Sequence, residues 1–253
     1  MSSFEKMMVN ITNNVSNSKT VGYKSTRTEM ENLFPQILEK AISKRDGNSN
    51  NKPGDMEIGS GVRIVSTPKD FRQGAIAVTN NEFDVAINGE GFLVFKLANG
   101  ETAFGRAGNL NRDSEGNIVD PNGNILQPQI SIPDNTNSIR ISSDGYVYVT
   151  LNQETQERQI GQIQLAKFIN PSGLESIGGN LYKETVSSGE YVTGIPGQDN
   201  FGTISQYSIE SSNVDIIGEM MEMIITQRAF DIITKAIQSG ETMLKSAGEI
   251  ARS

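Results

Sequence analysis

Apolar residues near the start of the chain recur three and four positions apart. Phe4, Met8, Ile11 and Val15 form one narrow stripe, the spacing of a helix with a single apolar face. Ser2 or Ser3 is placed to cap it, and Asn17 and Gly22 to stop it. At the other end Asn213 is placed to cap a long helix from about Val214. Ile216, Met220, Met223, Gln227 and Phe230 mark one face, with Ile224 beside it. After a shift the stripe resumes at Ile233, Ile237, Gly240, Leu244 and Ala247, and no proline interrupts it. A helix of about 35 residues is ~50 Å long, too long to fold back on a small domain. The long stripe must therefore meet another helix, and the N-terminal helix is the candidate within the chain. The first helix is much the shorter, so part of the long stripe is left for neighbouring copies. Ordinary two-helix packing in a monomer is the alternative.

Between the ends the period changes to two. Val62 to Thr67, Ala75 to Val78, Asp84 to Ile87, Phe92 to Phe95, Ser138 to Ile141, Tyr146 to Val149 and Ile160 to Leu165 read as short strands. Asn99-Gly100, Glu115-Gly116, Asn122-Gly123 and Asp144-Gly145 are hairpin-type pairs between them. Many short strands at close spacing predict a mainly antiparallel small barrel or sandwich. Residues 25–68 read as an extended, β-rich connector. Within it, residues 44–53 hold no apolar side chain and look like an exposed loop. The predicted class is α+β. Residues 1–24 and 213–253 form a helical part, and residues 69–212 an outer β domain. The chain ends, remote in sequence, are expected to meet in space.

Composition narrows the chemistry. The 253 residues carry 22 Lys+Arg against 30 Asp+Glu, a net charge of -8. That balance argues against a nucleic-acid or anionic-membrane binder. Residues 1–45 are net +3, residues 46–212 net -9 and residues 213–253 net -2. Oppositely charged ends would attract one another across a separate acidic body. With no Cys and no His, thiolate nucleophiles, Ser-His-Asp triads and His- or Cys-ligated zinc are excluded.

The remaining motifs are weak. Gly89-Glu90-Gly91 has Val94 where a dinucleotide loop needs its third glycine. The segment from Asn111 to Asn122 resembles half a calcium loop but starts and ends on Asn. Both read better as turns. The sequons at Asn10 and Asn14 fall on a predicted helix, and Met220, Met221 and Met223 suit adaptable interface packing. No cofactor, metal site or catalytic constellation is read from these residues, and the chain is not expected to be an enzyme. The first residues lack a secretory signal pattern.

Other residues carry a resemblance. Asn13-Asn-Val-Ser-Asn17 followed by Thr20-Val-Gly-Tyr-Lys24 is similar to the N-terminal signature of the flagellar rod and hook axial family. Ser211-Ser-Asn-Val-Asp215, then Met223 to Phe230 and Met243-Leu244, resembles that family's C-terminal signature. Asp84 to Phe92 resembles its core strand and turn, and Gly173 to Tyr182, with Glu184-Thr185 and Ser187 to Gly189, its distal-rod members in particular.

The resemblance implies a structural subunit that polymerises helically into the distal rod. This drive shaft passes torque from motor to hook and encloses the export channel. It implies N- and C-terminal helices paired as a coiled coil lining a tube. The stripe residues Phe4, Met8, Ile11, Val15, Ile216, Met220, Met223, Ile224, Gln227, Phe230, Ile233, Ile237 and Leu244 are the expected subunit contacts. Implied partners are further copies of itself, proximal rod proteins, hook protein, P and L ring proteins, the rod cap and the type III export apparatus. The implied location is the periplasm-spanning basal body, reached without a cleaved signal. Members usually carry further residues before the first signature, so a chain starting MSSFEK is expected to have a shortened N-terminal helix or a truncated start. By resemblance, residues 41–58 carry a stretch that hook members lack or vary. Its flanks, residues 33–42 and 56–65, are expected to clamp an adjacent subunit as a β hairpin, the alternative being a plain surface loop. The proximal rod paralogue is the alternative within the family. A soluble β-domain binding protein or enzyme is the alternative outside it.

Overall fold

The computed structural model describes residues 2–34, 36–39, 56–152 and 156–250. It divides into two compact units. One comprises residues 1–12, 26–68 and 221–253, the other residues 13–25 and 69–220.

The second unit is the β body. Its centre is the Phe92–Lys96 strand, which hydrogen-bonds to Thr102–Gly105 on one edge. On the other edge Phe92 and Leu93 pair with Leu165–Lys167, while Val94 to Lys96 pair with Ile125–Gln127. Four consecutive residues of this strand, Phe92 to Phe95, are buried. Alternation sends Leu93 and Phe95 into the main core with Val85, Ile87, Leu126 and Val149. It sends Phe92 and Val94 into a second layer with Phe104, Phe168 and Tyr182. The antiparallel sheet Thr136–Ile141, Tyr146–Leu151, Glu157–Gln162 closes the main core with Ile139 opposite Val149 and Ile141 opposite Val147. Its outer face carries Arg140 over the Tyr148 ring at 4.5 Å.

The turns follow their glycines. Gly100, Gly116, Gly123 and Gly145 all have φ between 82° and 85°, the left-handed region that β-carbons disfavour. Two turns share the pattern Asp-x-x-Gly-Asn. Asp113 Oδ1 accepts the amides of Glu115 and Asn117, and Asp120 Oδ1 those of Asn122 and Asn124. The half calcium loop is thus a pair of side-chain-locked turns. One strand reading needs revision. Ile160 to Leu165 is not one strand, because Glu157–Gln162 ends and Leu165–Lys167 begins in a different sheet. Between them the Ile163 amide donates to Gly145 O.

The first unit holds most of both helices and two strand pairs. The α1 helix is Ser2–Ser16 and the α2 helix Ile216–Ile250. Glu29–Asn32 pairs with Val62–Ser66, and Gln36–Glu39 with Met56–Ile58, so the flanks of the polar stretch are a strand pair. Residues 40–55, which include the predicted loop, lie outside the described residues. Asn10 ties α1 to the connector, donating to Thr26 O and to Thr28 Oγ1 at 3.0 and 2.8 Å. Ser3 Oγ donates to Val62 O rather than capping the helix.

The paired coiled coil is not what the terminal helices form. With 15 and 35 residues, they are about 22 and 52 Å long, so α1 cannot run along most of α2. They touch where Thr226 Oγ1 lies 3.8 Å from Met7 Sδ. Further along α2 the seam is exposed at Ile237 and Leu244, by 47 and 75 %, and even beside Thr226 the Ile224 side chain is 49 % exposed. The periodicity was real, but it marks an apolar face without a matching helix among the described residues. The α+β class with a β-rich body stands.

This division of burial sets the expected response to truncation. Phe95→Ala empties a fully enclosed site and should lower stability by about 3–5 kcal/mol. Ile232→Ala, on the exposed part of α2, should change monomer stability by less than about 0.5 kcal/mol. Urea denaturation of both variants checks the contrast.

Candidate functional site

Two features stand out from the residues upward. One is a buried charged junction in the β body, and the other is the uncovered face of α2.

The junction joins the two sequence signatures. Just past α1, Asn17 Nδ2 donates to Asn13 O, and Gly22 turns the chain at φ 68°. A β-carbon there would lie 2.5 Å from Ala107 N, so only glycine fits. The Gly22 amide donates to Glu210 O. Lys24, next but one, is fully enclosed. Its Nζ donates to Glu210 Oε1 at 2.6 Å and to Arg72 O at 2.7 Å. Glu210, also fully buried, accepts the Gly74 amide at 2.9 Å on the same oxygen and Arg106 on Oε2 at 3.3 Å. Arg106 is held further by Gly89 O and sits against the Phe92 ring. Burial lowers the pKa values of Lys24 and Arg106, and Glu210 pulls both back up.

Asn213 makes a second tie. Its Oδ1 accepts the Ser25 amide, and its Nδ2 donates to Asp70 O and Arg72 O. It is therefore not the helix cap. Asp215 caps α2, accepting the Ile217 amide at 3.2 Å on its side chain. A third tie runs from Asn14 Nδ2 to Glu219 Oε1 at 2.8 Å, with Tyr23 OH donating to Asn14 Oδ1. The sequon residue Asn14 is thus a buried structural amide. The chain ends meet, through polar groups that the apolar periodicity did not single out.

The thirteen stripe residues do not share one environment. Ile11 is buried, and Phe4, Met8, Val15, Met223, Phe230 and Ile233 are half-buried. Ile216, Met220, Ile224, Gln227, Ile237 and Leu244 are exposed. A second set that the stripe did not include, Ile217, Met221, Ile225 and Ile232, is exposed as well, at 59–74 %. Its spacing of four, four and seven was present in the sequence. Apolar side chains thus lie on more than one face of α2. Among the described residues no group of three or more Asp or Glu side chains is placed to hold a metal ion, and no helix is long and apolar enough to cross a membrane.

Glu210→Gln would leave the Lys24 ammonium and Arg106 guanidinium enclosed without a counter-charge. It should cost about 3–5 kcal/mol. Lys24→Met should cost less, because Glu210 keeps Arg106 and the Gly74 amide. Equal losses in urea denaturation would contradict this account of the junction.

Comparison with known proteins gives this geometry its context. Residues 86–149 match the family model "Flagellar hook protein FlgE/F/G D1 domain", and residues 205–250 match "Flagellar basal body rod FlgEFG protein C-terminal". The first falls within the β body. The second runs from the junction along α2. The chain is 39% identical over 240 residues to the flagellar basal-body rod protein FlgG of Caulobacter vibrioides, covering 95% of this chain and 92% of that one. It is 40% identical to the same protein of Borreliella burgdorferi, over 96% and 92% of the two chains. With that of Bacillus subtilis the identity is 32% over 100% and 96%. The flagellar hook-basal body complex protein FlhP of the same organism is 27% identical over 96% of this chain and 93% of its own. The chain belongs to the flagellar basal-body rod protein FlgG family.

Proposed function

We propose that the chain is a structural subunit of the distal flagellar rod and that it polymerises through the uncovered faces of α2. The observation that carries the reading is the exposed apolar surface of that helix, from Ile217 to Leu244, on a chain whose β body has its own closed core. Burying one isoleucine or leucine contributes about 1.5–3 kcal/mol. A helix with so many left wet gains stability when other copies cover it. The interface then takes in the stripe from Ile216 to Leu244 together with Ile217, Met221, Ile225 and Ile232. Phe4, Met8 and Val15 of α1 contribute at its edge.

In this reading the subunit is exported to the basal body and stacks helically around the export channel. It transmits torque between the proximal rod and the hook. Ring proteins, the rod cap and the export apparatus are its further partners in the cell envelope. Membership of the rod family and the identity to FlgG proteins along nearly the whole chain support this placement. Chemistry on a substrate is not part of the proposed role.

An aspartate at the seam tests the reading directly. Ile224→Asp or Ile237→Asp would put an unpaired carboxylate into the contact at a cost of several kcal/mol. Thermal unfolding of the β body should be unchanged, while pelleting of polymer and motility should be lost. A variant that still polymerises would remove α2 from the interface.

The connector bears on stiffness. Contacts made by the strand pair Gln36–Glu39 with Met56–Ile58 would resist the sliding between neighbours that bending requires. Deleting residues 43–57 should leave assembly intact and give a more flexible, curved filament. Straight filaments of unchanged stiffness in electron micrographs would sink the idea.

A further inference from the structure

The β body carries an open groove of about 490 Å³ that adjoins the junction described above and shares Arg106 with it. Its floor is aromatic. Phe92 meets Phe71 edge-on at 5.4 Å and Phe168 at 5.7 Å. At the rim Ile169 stands 91 % exposed. The adjoining loop, held by Asn170 through Ser187 O and Ser188 O, presents Val186 entirely to solvent. Bare branched aliphatics beside a ring-lined groove are unusual on a surface meant to stay wet.

Charged groups line the groove as well, and each of its three cations has a carboxylate partner, Glu210 in the case of Arg106. Arg72, Arg106 and Lys167 line it against one carboxylate, Glu90. Lys167 pairs with Glu90 and Arg72 with Asp70 at the exposed edge. Arg106 is buried, and its Nε has no hydrogen-bond partner. The groove therefore suits a segment that offers an aromatic side chain together with carboxylates.

The same sequence contains such a segment. The Glu29–Asn32 strand is exposed at every residue, and it leads into Leu33 and Phe34. Phe34 is 94 % exposed. From residue 28 to residue 39 the chain carries Glu29, Glu31 and Glu39 and no basic residue. Arg27 and Arg63 pair with Glu29 and Glu31 from outside it but leave both carboxylates about half exposed. Among the described residues Phe34 has no cover and the groove stays open.

We propose that the groove of one copy receives residues 29–34 of a second copy. Phe34 lies against the Phe71, Phe92 and Phe168 rings, and the carboxylates face Lys167 and Arg72. The inference rests on the polymer reading and adds a contact that α2 does not make. An aromatic anchor in a desolvated pocket with a charged rim is the usual composition of an interface hot spot, and the charges set its register.

The chain has no cysteine, so two introduced thiols report on each other without background. Leu33→Cys chains, which keep Phe34, and Ile169→Cys chains, prepared separately, are mixed in equal amounts, assembled, pelleted and oxidised by air with copper phenanthroline. A disulfide-linked 33–169 dimer is expected in the pellet and not in unassembled protein. Pelleted polymer without that dimer overturns the proposal while leaving the polymer reading standing. Failure of the unsubstituted chain to pellet removes both. Phe34→Ala should also raise the critical concentration for assembly about tenfold, and an unchanged value overturns the proposal.

Discussion

A single enclosed carboxylate organises the β body. Glu210 holds the Lys24 ammonium and the Arg106 guanidinium, and it accepts the Gly74 amide as well. Replacing such a cluster wholesale with apolar groups of the same shape is often neutral, whereas removing one member is costly. Its value therefore lies in discrimination. No other side chain can take the place of Glu210 without stranding two cations, so the strand Ser208–Glu210 has one acceptable position against residues 22–25. Asn213, with both ends of its amide engaged, fixes the same join three residues further along. The start of α2 is set just beyond them by the Asp215 cap.

The legible parts of the sequence were those governed by local rules. Strand alternation at Tyr146 to Val149 and the glycine at each Asn-Gly or Asp-Gly pair act within a few residues, and both were realised. The helical stripes were real as faces. What covers a face is a matter of partners, which periodicity does not encode, so the coiled-coil expectation failed while the helices themselves formed. The break between Glu157–Gln162 and Leu165–Lys167 was hidden because Ile163 continues the apolar pattern while its amide turns to Gly145. Lys24 reads in sequence as an ordinary surface lysine. Its burial depends on a glutamate that lies 186 positions away, a spacing that no window of local pattern spans.

The two kinds of burial correspond to two roles. In the body, Leu93, Phe95, Val147 and Leu165 are completely enclosed, and the strand Phe92–Lys96 has apolar layers on both faces. Such a core keeps its shape whatever its surroundings. In α2 many apolar residues, Ile217, Ile225, Ile232 and Leu244 among them, are exposed and hold little energy until something covers them. A subunit that must be a defined object before assembly and a cohesive one afterwards needs both arrangements in one chain.

The distance along the chain between the tied residues also constrains the order in which the molecule can form. Ser25 waits for Asn213, 188 residues later, and Lys24 waits nearly as long for Glu210. Contacts so remote close slowly, because chain entropy must be given up before they form. Whichever end folds first, the junction cannot lock until residues 24–25 and 210–213 have met. A topology that joins two such distant segments makes its central polar tie the late step, after the hairpins between them have had time to form.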